Sequence, residues 1–173
     1  MVNHYIFVAK DHICGGAVID AFTIFEDRVK KRLWGLTRYV AHKRKLSKGD
    51  KVIFYVSSKK KNRPALFTGC GVIDSNPYLV SDVERRLCLA LLDKYSYIVD
   101  LADIEVWPKP LPFKSIHGNL TFIKNSQKPF VYLQGGIVKI GEEDYLKVCN
   151  TAKLFMSSND TLNAHGRADE LGI

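Results

Sequence analysis

The sequence predicts one mixed α/β domain of the α+β kind, whose short strands curl into a small barrel-like sheet. Three observations predict it. Runs of β-branched and aromatic residues recur along the chain, parted by Gly, Pro and Asn in the manner of strands and turns. Helix-like patterns are few and lie between these runs. No internal repeat and no second apolar core is found, and 173 residues, 46% hydrophobic and 25% charged, suit one domain with a sizeable core.

In chain order, Tyr5-Ile-Phe-Val-Ala reads as a first strand. Gly15-Gly16 parts it from Ala17 to Lys31, where Phe22, Phe25 and Val29 fall at helix-like spacing and predict a partly helical segment. Trp34, Arg38, Tyr39 and His42 then recur at intervals that fit one side of a helical turn or a compact loop. Lys48-Gly49-Asp50 is a turn signal, because Gly49 takes positive φ without steric cost, and Lys51 to Val56 is a buried strand. Ser57 to Pro64 is a polar, basic hairpin loop and Ala65 to Ile73 the returning strand. Gly69 and Gly71 inside that strand mark a bulge or a close approach of another group. Asn76-Pro77 is a turn, and Ser81 with Glu84 forms a capping box for a helix to about Leu92. Tyr95 to Trp107 is strand-like, with Trp107 packed inward, and Pro108, Pro110 and Pro112 are expected to end regular structure. After an irregular Ser115 to Leu120, Phe130 to Leu133 and Ile137 to Ile140 flank Gly135-Gly136 as a small hairpin. Glu142-Glu143-Asp144 start a final helix that turns Tyr145, Cys149, Ala152 and Met156 inward. The domain is thus expected to span 1–156, with a loose polar tail over 157–173.

Cysteine usage and charge narrow the function. Cys14, Cys70, Cys88 and Cys149 are widely spread, without a Cys-x-x-Cys pair or a His at zinc-ligand spacing, so reduced thiols are expected and no metal or other cofactor. No apolar run approaches the roughly 20 residues of a membrane span, and Met1-Val2-Asn3-His4 does not open like a secretion signal. A soluble, cytoplasmic protein is the expectation. Residues 1–63 hold fifteen Lys or Arg against five acids, a balance of +10 beside the chain's net +8. Charge gathered this way points to a polyanion on one face; the alternative is a solvated face with a lysine-rich loop tip at Lys59 to Lys61.

Six blocks carry a resemblance. Leu33-Trp-Gly-Leu, Lys48-Gly-Asp-Lys-Val-Ile-Phe-Tyr-Val, Gly69-Cys-Gly-Val-Ile, Pro110-Leu-Pro-Phe, Leu120-Thr-Phe-Ile-Lys-Asn and Gly135-Gly-Ile-Val-Lys-Ile-Gly-Glu-Glu-Asp-Tyr stand in this order between about residues 3 and 150. Together they resemble the EVE domain, a PUA-like fold related to the YTH readers of methylated adenine and to ASCH domains. The resemblance implies a twisted, barrel-like sheet flanked by helices. It also implies a pocket beside the Trp-Gly segment that takes a modified base flipped from DNA or RNA, with no catalytic residue.

The residues themselves fit a reader of that kind. A base lifted from its stack needs aromatic faces and polar groups at its edge. Trp34 and Tyr39 offer faces, with Gly35 beside them and Tyr5 on the first strand; Asn3, Asn125 and Gln134 offer edge hydrogen bonds. Arg38, His42, Lys43, Arg44 and Lys45 are placed to hold phosphates. Each has a plainer alternative: Trp34 as a core tryptophan, Asn125 as a turn residue, His42 as a surface residue. Two rival functions remain, general RNA binding through the basic face with the pocket unused, and an ASCH-like amidohydrolase acting on modified nucleosides through Thr37, Lys43 and Glu105. No phosphate-cradling Gly-rich loop, zinc-protease helix or serine-nucleophile elbow supports an enzyme.

Overall fold

In the computed structural model, residues 1–60, 62–82 and 95–165 are described. The β-rich pattern becomes a seven-stranded sheet. Its strands are β1 (His4–Ala9), β4 (Leu33–Thr37), β5 (Lys51–Val56), β6 (Leu66–Ile73), β7 (Tyr78–Leu79), β8 (Tyr95–Pro112) and β9 (Ile137–Ile140). The order is β4-β8-β6-β5-β1-β9, with β7 also on β8. β1 runs parallel to β5, while β9 closes antiparallel on β1 with Tyr5 opposite Lys139 and Phe7 opposite Ile137. The result is a mixed α+β, PUA-like fold with a curled, half-barrel sheet.

Both faces of the sheet are covered, which is why β1 and β5 read as unbroken apolar runs rather than alternating ones. On one face Tyr5, Phe7, Val52, Phe54, Trp34 and Leu36 pack under α1 (Ala21–Lys31). On the other, Ile6, Val8, Ile53, Tyr55, Phe67 and Phe113 pack under α2 (Glu142–His165) through Tyr145, Val148 and Ala152. Trp107, 3% exposed, belongs to this second core as expected.

Several expectations are corrected by the structure. Residues 17–31 do not form one segment: Gly15 and Gly16, both at positive φ, turn a small hairpin of β2 (His12–Cys14) and β3 (Ala17–Ile19). α1 starts only after Asp20, whose carboxylate accepts from the Phe22 N–H as an N-cap. Trp34 lies on a strand, not a helical turn.

The prolines do not end β8, which continues through Pro112. The Phe113 N–H donates to Ala65 O, so odd-numbered residues there face β6; Pro110 and Pro112 turn their N–H-less nitrogens to the other edge, and Pro108 falls where the register slips between Val106 and Leu111. Residues 129–133 form a 3-10 turn begun by Pro129 instead of a strand, and β9 pairs with β1. The last helix runs on to His165, past the expected tail boundary at Ser157. The expected helix from Ser81 to about Leu92 lies, beyond Asp82, outside the described residues, as does Cys88. Among the described residues no helix is long and apolar enough to cross a membrane.

Candidate functional site

Trp34 is positioned by β4 and is only 1% exposed. Its indole stacks on Phe54 at 5.3 Å with 17° between the rings, and meets Phe7 at 5.4 Å. α1 sends Arg28 into the same region. Its guanidinium lies 4.4 Å over the Trp34 ring and 4.8 Å over Tyr95, and His12 of the β2–β3 hairpin stacks on Tyr95 at 5.6 Å and 11°. Planar groups in series therefore tie the hairpin, β8, α1, β4 and β5 together. A guanidinium suits this place because it is flat, weakly hydrated and keeps its in-plane donors when its face is covered.

A cavity of about 450 Å³ opens beside these groups, within the usual range of roughly 300 to 1,000 Å³ for ligand sites. Its walls include Arg28, Trp34, Gly35, Tyr39, Tyr95 and Lys10, with Gly135-Gly136 along one side. Gly136 lies close against the loop: a Cβ would come within 3.1 Å of Val40 Cγ2, and its carbonyl accepts from the Val8 N–H at 3.0 Å. Tyr39, 88% exposed, and Ala41, also exposed, border the opening from the loop that follows β4.

That loop carries the basic cluster. His42 takes a left-handed conformation (φ 62°) and turns the chain into a 3-10 turn, Lys43–Lys45. Beneath it Tyr5 Oη donates to Lys45 O at 3.4 Å, and Lys43 Nζ donates to Arg38 O at 2.6 Å while lying 4.1 Å over the Tyr97 ring. Arg38, Arg44 and Lys45 are exposed, and none of Arg38, Lys43, Arg44 and Lys45 forms an ion pair among the described residues. A second cavity, about 360 Å³, lies across the loop between Lys43, Arg44, Ser47, Asn76 and Tyr97. The loop thus has the aromatic cavity on one flank and a polar one on the other.

Of the residues expected at a base pocket, the structure brings Trp34, Gly35 and Tyr39 to one cavity. Gln134 lines the next cavity along, and its carbonyl accepts from Lys10 Nζ. Three stand elsewhere. Tyr5 is fully buried beneath the basic loop. The Asn3 N–H and side chain both donate to Asp50 Oδ1, lashing the chain start to the Ser47–Asp50 turn. Asn125 is exposed and closes a turn by accepting from the Gln127 N–H. Thr37 and Lys43 line different cavities, and Glu105 is exposed on β8 opposite Cys70, so those three are not brought together.

Arg28, Tyr95, Lys10 and Ala41 were not foreseen. For Arg28 a signal existed: it is the charged member of the Ala21, Ile24, Phe25, Arg28 stripe that α1 buries. Cys70 and Cys149 are free thiols packed against one core; the Cys149 hydrogen bond holds the Cys70 thiol below its ordinary range, while that bond and burial push Cys149 up. Among the described residues no cluster of His, Cys, Asp and Glu could hold a metal ion.

Comparison with known proteins places this geometry. The family model described as EVE domain matches residues 19–151, well over half of the chain. No curated protein matches. Among solved structures, the human THYN1 protein in complex with 5-methylcytosine-containing DNA is similar at 17% identity and a TM-score of 0.60, over 87% of this chain and 97% of that one. A hypothetical protein from Leishmania major is similar at 13% identity and a TM-score of 0.59, over 90% of this chain and 98% of that one. The DUF55 domain of human thymocyte nuclear protein 1 is similar at 16% identity and a TM-score of 0.57, over 87% and 99%. At these identities the likeness is one of fold.

Proposed function

The chain belongs to the EVE domain family, and from that premise we propose that it is a nucleic-acid-binding module without catalytic activity, which takes a flipped, modified base into the cavity beside Trp34. The observation that carries this reading is the cavity itself, where aromatic walls and cationic donors meet within about 450 Å³. A flipped base loses its stacking and its pairing partner, and a pocket has to replace both. Tyr39 at the opening supplies an aromatic face; Arg28, whose guanidinium lies over Trp34 and Tyr95 on the cavity wall, is the donor for an acceptor on the base edge. The phosphates on either side fall to the basic loop, from Arg38 to Lys45. The DNA in the THYN1 complex, which contains 5-methylcytosine, supports this class of ligand.

The size of the preference follows from the chemistry. A methyl buried in a dry pocket contributes about 0.8 kcal/mol, somewhat under a factor of ten. The test plugs the cavity from its rim. Ala41→Trp places an indole over the opening from an exposed position, so the core is untouched. We expect the parent to bind a modified oligonucleotide several-fold more tightly than its unmodified twin, and Ala41→Trp to lose that difference while keeping weak, salt-sensitive binding. If the plugged protein discriminates as the parent does, the base does not enter here. A second reading, general RNA or DNA binding with the cavity unused, is favoured by one observation: the guanidinium of Arg28 already covers Trp34 and Tyr95.

A further inference from the structure

Lys10, just beyond the end of β1, lines two cavities at once. One is the aromatic cavity beside Trp34. The other, about 400 Å³, lies past the point where Lys10 Nζ donates to the Gln134 carbonyl, and is lined by Tyr55, Ser57, Ser58, Lys59, Phe130 and Leu133. Phe130 rests on Phe113, at 5.1 Å between ring centroids, yet remains 44% exposed. Beside that ring stand two serines and Lys59, with Lys60 next in the chain and exposed.

We propose that this hollow is a second nucleotide subsite, which takes the neighbour of the flipped nucleotide in a single-stranded segment, its base against Phe130 and the linking phosphate on Lys10. The proposal rests on the base-pocket reading. Three features select a nucleotide as the occupant. An exposed aromatic face beside hydroxyl groups suits a base, which has a π-face and a polar edge. Two lysines in its lining, Lys10 and Lys59, suit the phosphates that flank a base. Continuity with the first cavity through one shared lysine suits consecutive units of one strand, with Lys10 exchanging the Gln134 carbonyl for a phosphate oxygen. A duplex would keep the neighbour stacked and leave the hollow empty.

The test uses the full chain and unmodified ten-nucleotide single-stranded DNA, with the matching duplex alongside, so that no base preference is assumed. Phe130→Ala is expected to weaken single-strand binding about 5- to 150-fold, the span of one lost stacking contact, with the slope of log K against log salt unchanged. Phe130→Tyr, which keeps the ring, is expected to bind as the parent. Lys10→Gln is expected to reduce the slope by about 0.7, one phosphate contact on a single strand. Because Phe130 touches Phe113, each variant is first shown to melt cooperatively; should Phe130→Ala fail this, Ser58→Trp, which fills the hollow, replaces it with the same expected loss. The subsite is overturned if Phe130→Ala, or its substitute, binds single strands like the parent, or if the duplex binds more tightly than the single strand. If the parent responds to Ala41→Trp but not to Phe130→Ala, only the subsite falls. If the parent binds no strand, the base-pocket reading falls first and this proposal with it.

Discussion

Arg28 shows how the site departs from a simple aromatic slot. Trp34 has Phe54 stacked on it and Arg28 over its ring, so truncating it would remove a buried core side chain, at about 3 to 5 kcal/mol, and would report on folding before it reported on binding. A charged side chain on the buried stripe of α1 was visible in the sequence, but its partners, Trp34 and Tyr95, come from strands that meet only after the sheet has formed. His4 gives a cleaner single-residue test. It is 6% exposed at the start of β1 and packs on Tyr145, with ring centroids 4.8 Å apart. Burial lowers its pKa from the ordinary 6.5; Glu142 and Asp50 oppose this and Lys51 adds to it. The folded state therefore binds this proton less readily than the unfolded chain does. The contribution to stability is fully present above about pH 6.5 and is lost as pH falls through the lower, folded value. Melting temperature followed from neutral to mildly acid pH should drop more steeply in the parent than in His4→Gln, and parallel curves would show that His4 does not carry this proton linkage.

At the scale of elements, the glycines of β6 differ in how closely the neighbouring backbone approaches them. A Cβ on Gly69 would sit 2.2 Å from Glu105 O and 3.2 Å from Val106 Cα, both backbone atoms of β8 at the point where the register slips. On Gly71 the nearest atoms are Phe54 Cζ at 3.3 Å and Ala102 O at 3.4 Å, so a Cβ there asks for a shift of only a few tenths of an ångström. Gly69→Ala should therefore cost about 1 to 3 kcal/mol or more, a fall of several degrees in melting temperature, and Gly71→Ala clearly less. Equal losses in the two melts would mean that the β6–β8 seam gives way to a Cβ at Gly69. This pair also marks what was legible beforehand. Strands β1, β5, β6 and β9 and the start of α2 were readable because local pattern and final environment agree. The run from Pro108 to Pro112 was misread because proline forbids a strand only where its nitrogen must donate, and which edge it faces is decided by a partner distant in sequence. Phe130 to Leu133 was misread for a related reason: β9 finds its partner in β1 rather than across the adjacent turn. Of the candidate site, the residues of 34–45 that line the cavity stand together in the chain itself, whereas Lys10, Arg28, Tyr95 and Gly136 are brought to it by the fold.

For the whole molecule, the separation between what attracts a strand and what selects a base can be tested directly. The +10 balance of residues 1–63 acts at long range on any polyanion, and every phosphate it neutralises releases counterions, so affinity should fall almost linearly in log K against log salt. Within that region the basic loop beside the cavity divides in two. Lys43 is half-buried, holding Arg38 O and lying over Tyr97, so Lys43→Ala would loosen the loop as well as remove a charge. Arg44 and Lys45 are exposed and make no ion pair among the described residues. Replacing these two together with alanine should lower the salt slope by about 1.4 on single strands or 1.8 on duplex, if both meet phosphates. Because phosphates carry no base information, modified and unmodified strands should weaken by the same factor and their ratio should stand. Ala41→Trp should do the reverse, removing the ratio and leaving the slope. An Arg44→Ala/Lys45→Ala protein with the parent's slope would mean that the loop faces plain solvent, and one that also lost the ratio would mean that the loop shapes the cavity rather than only standing beside it.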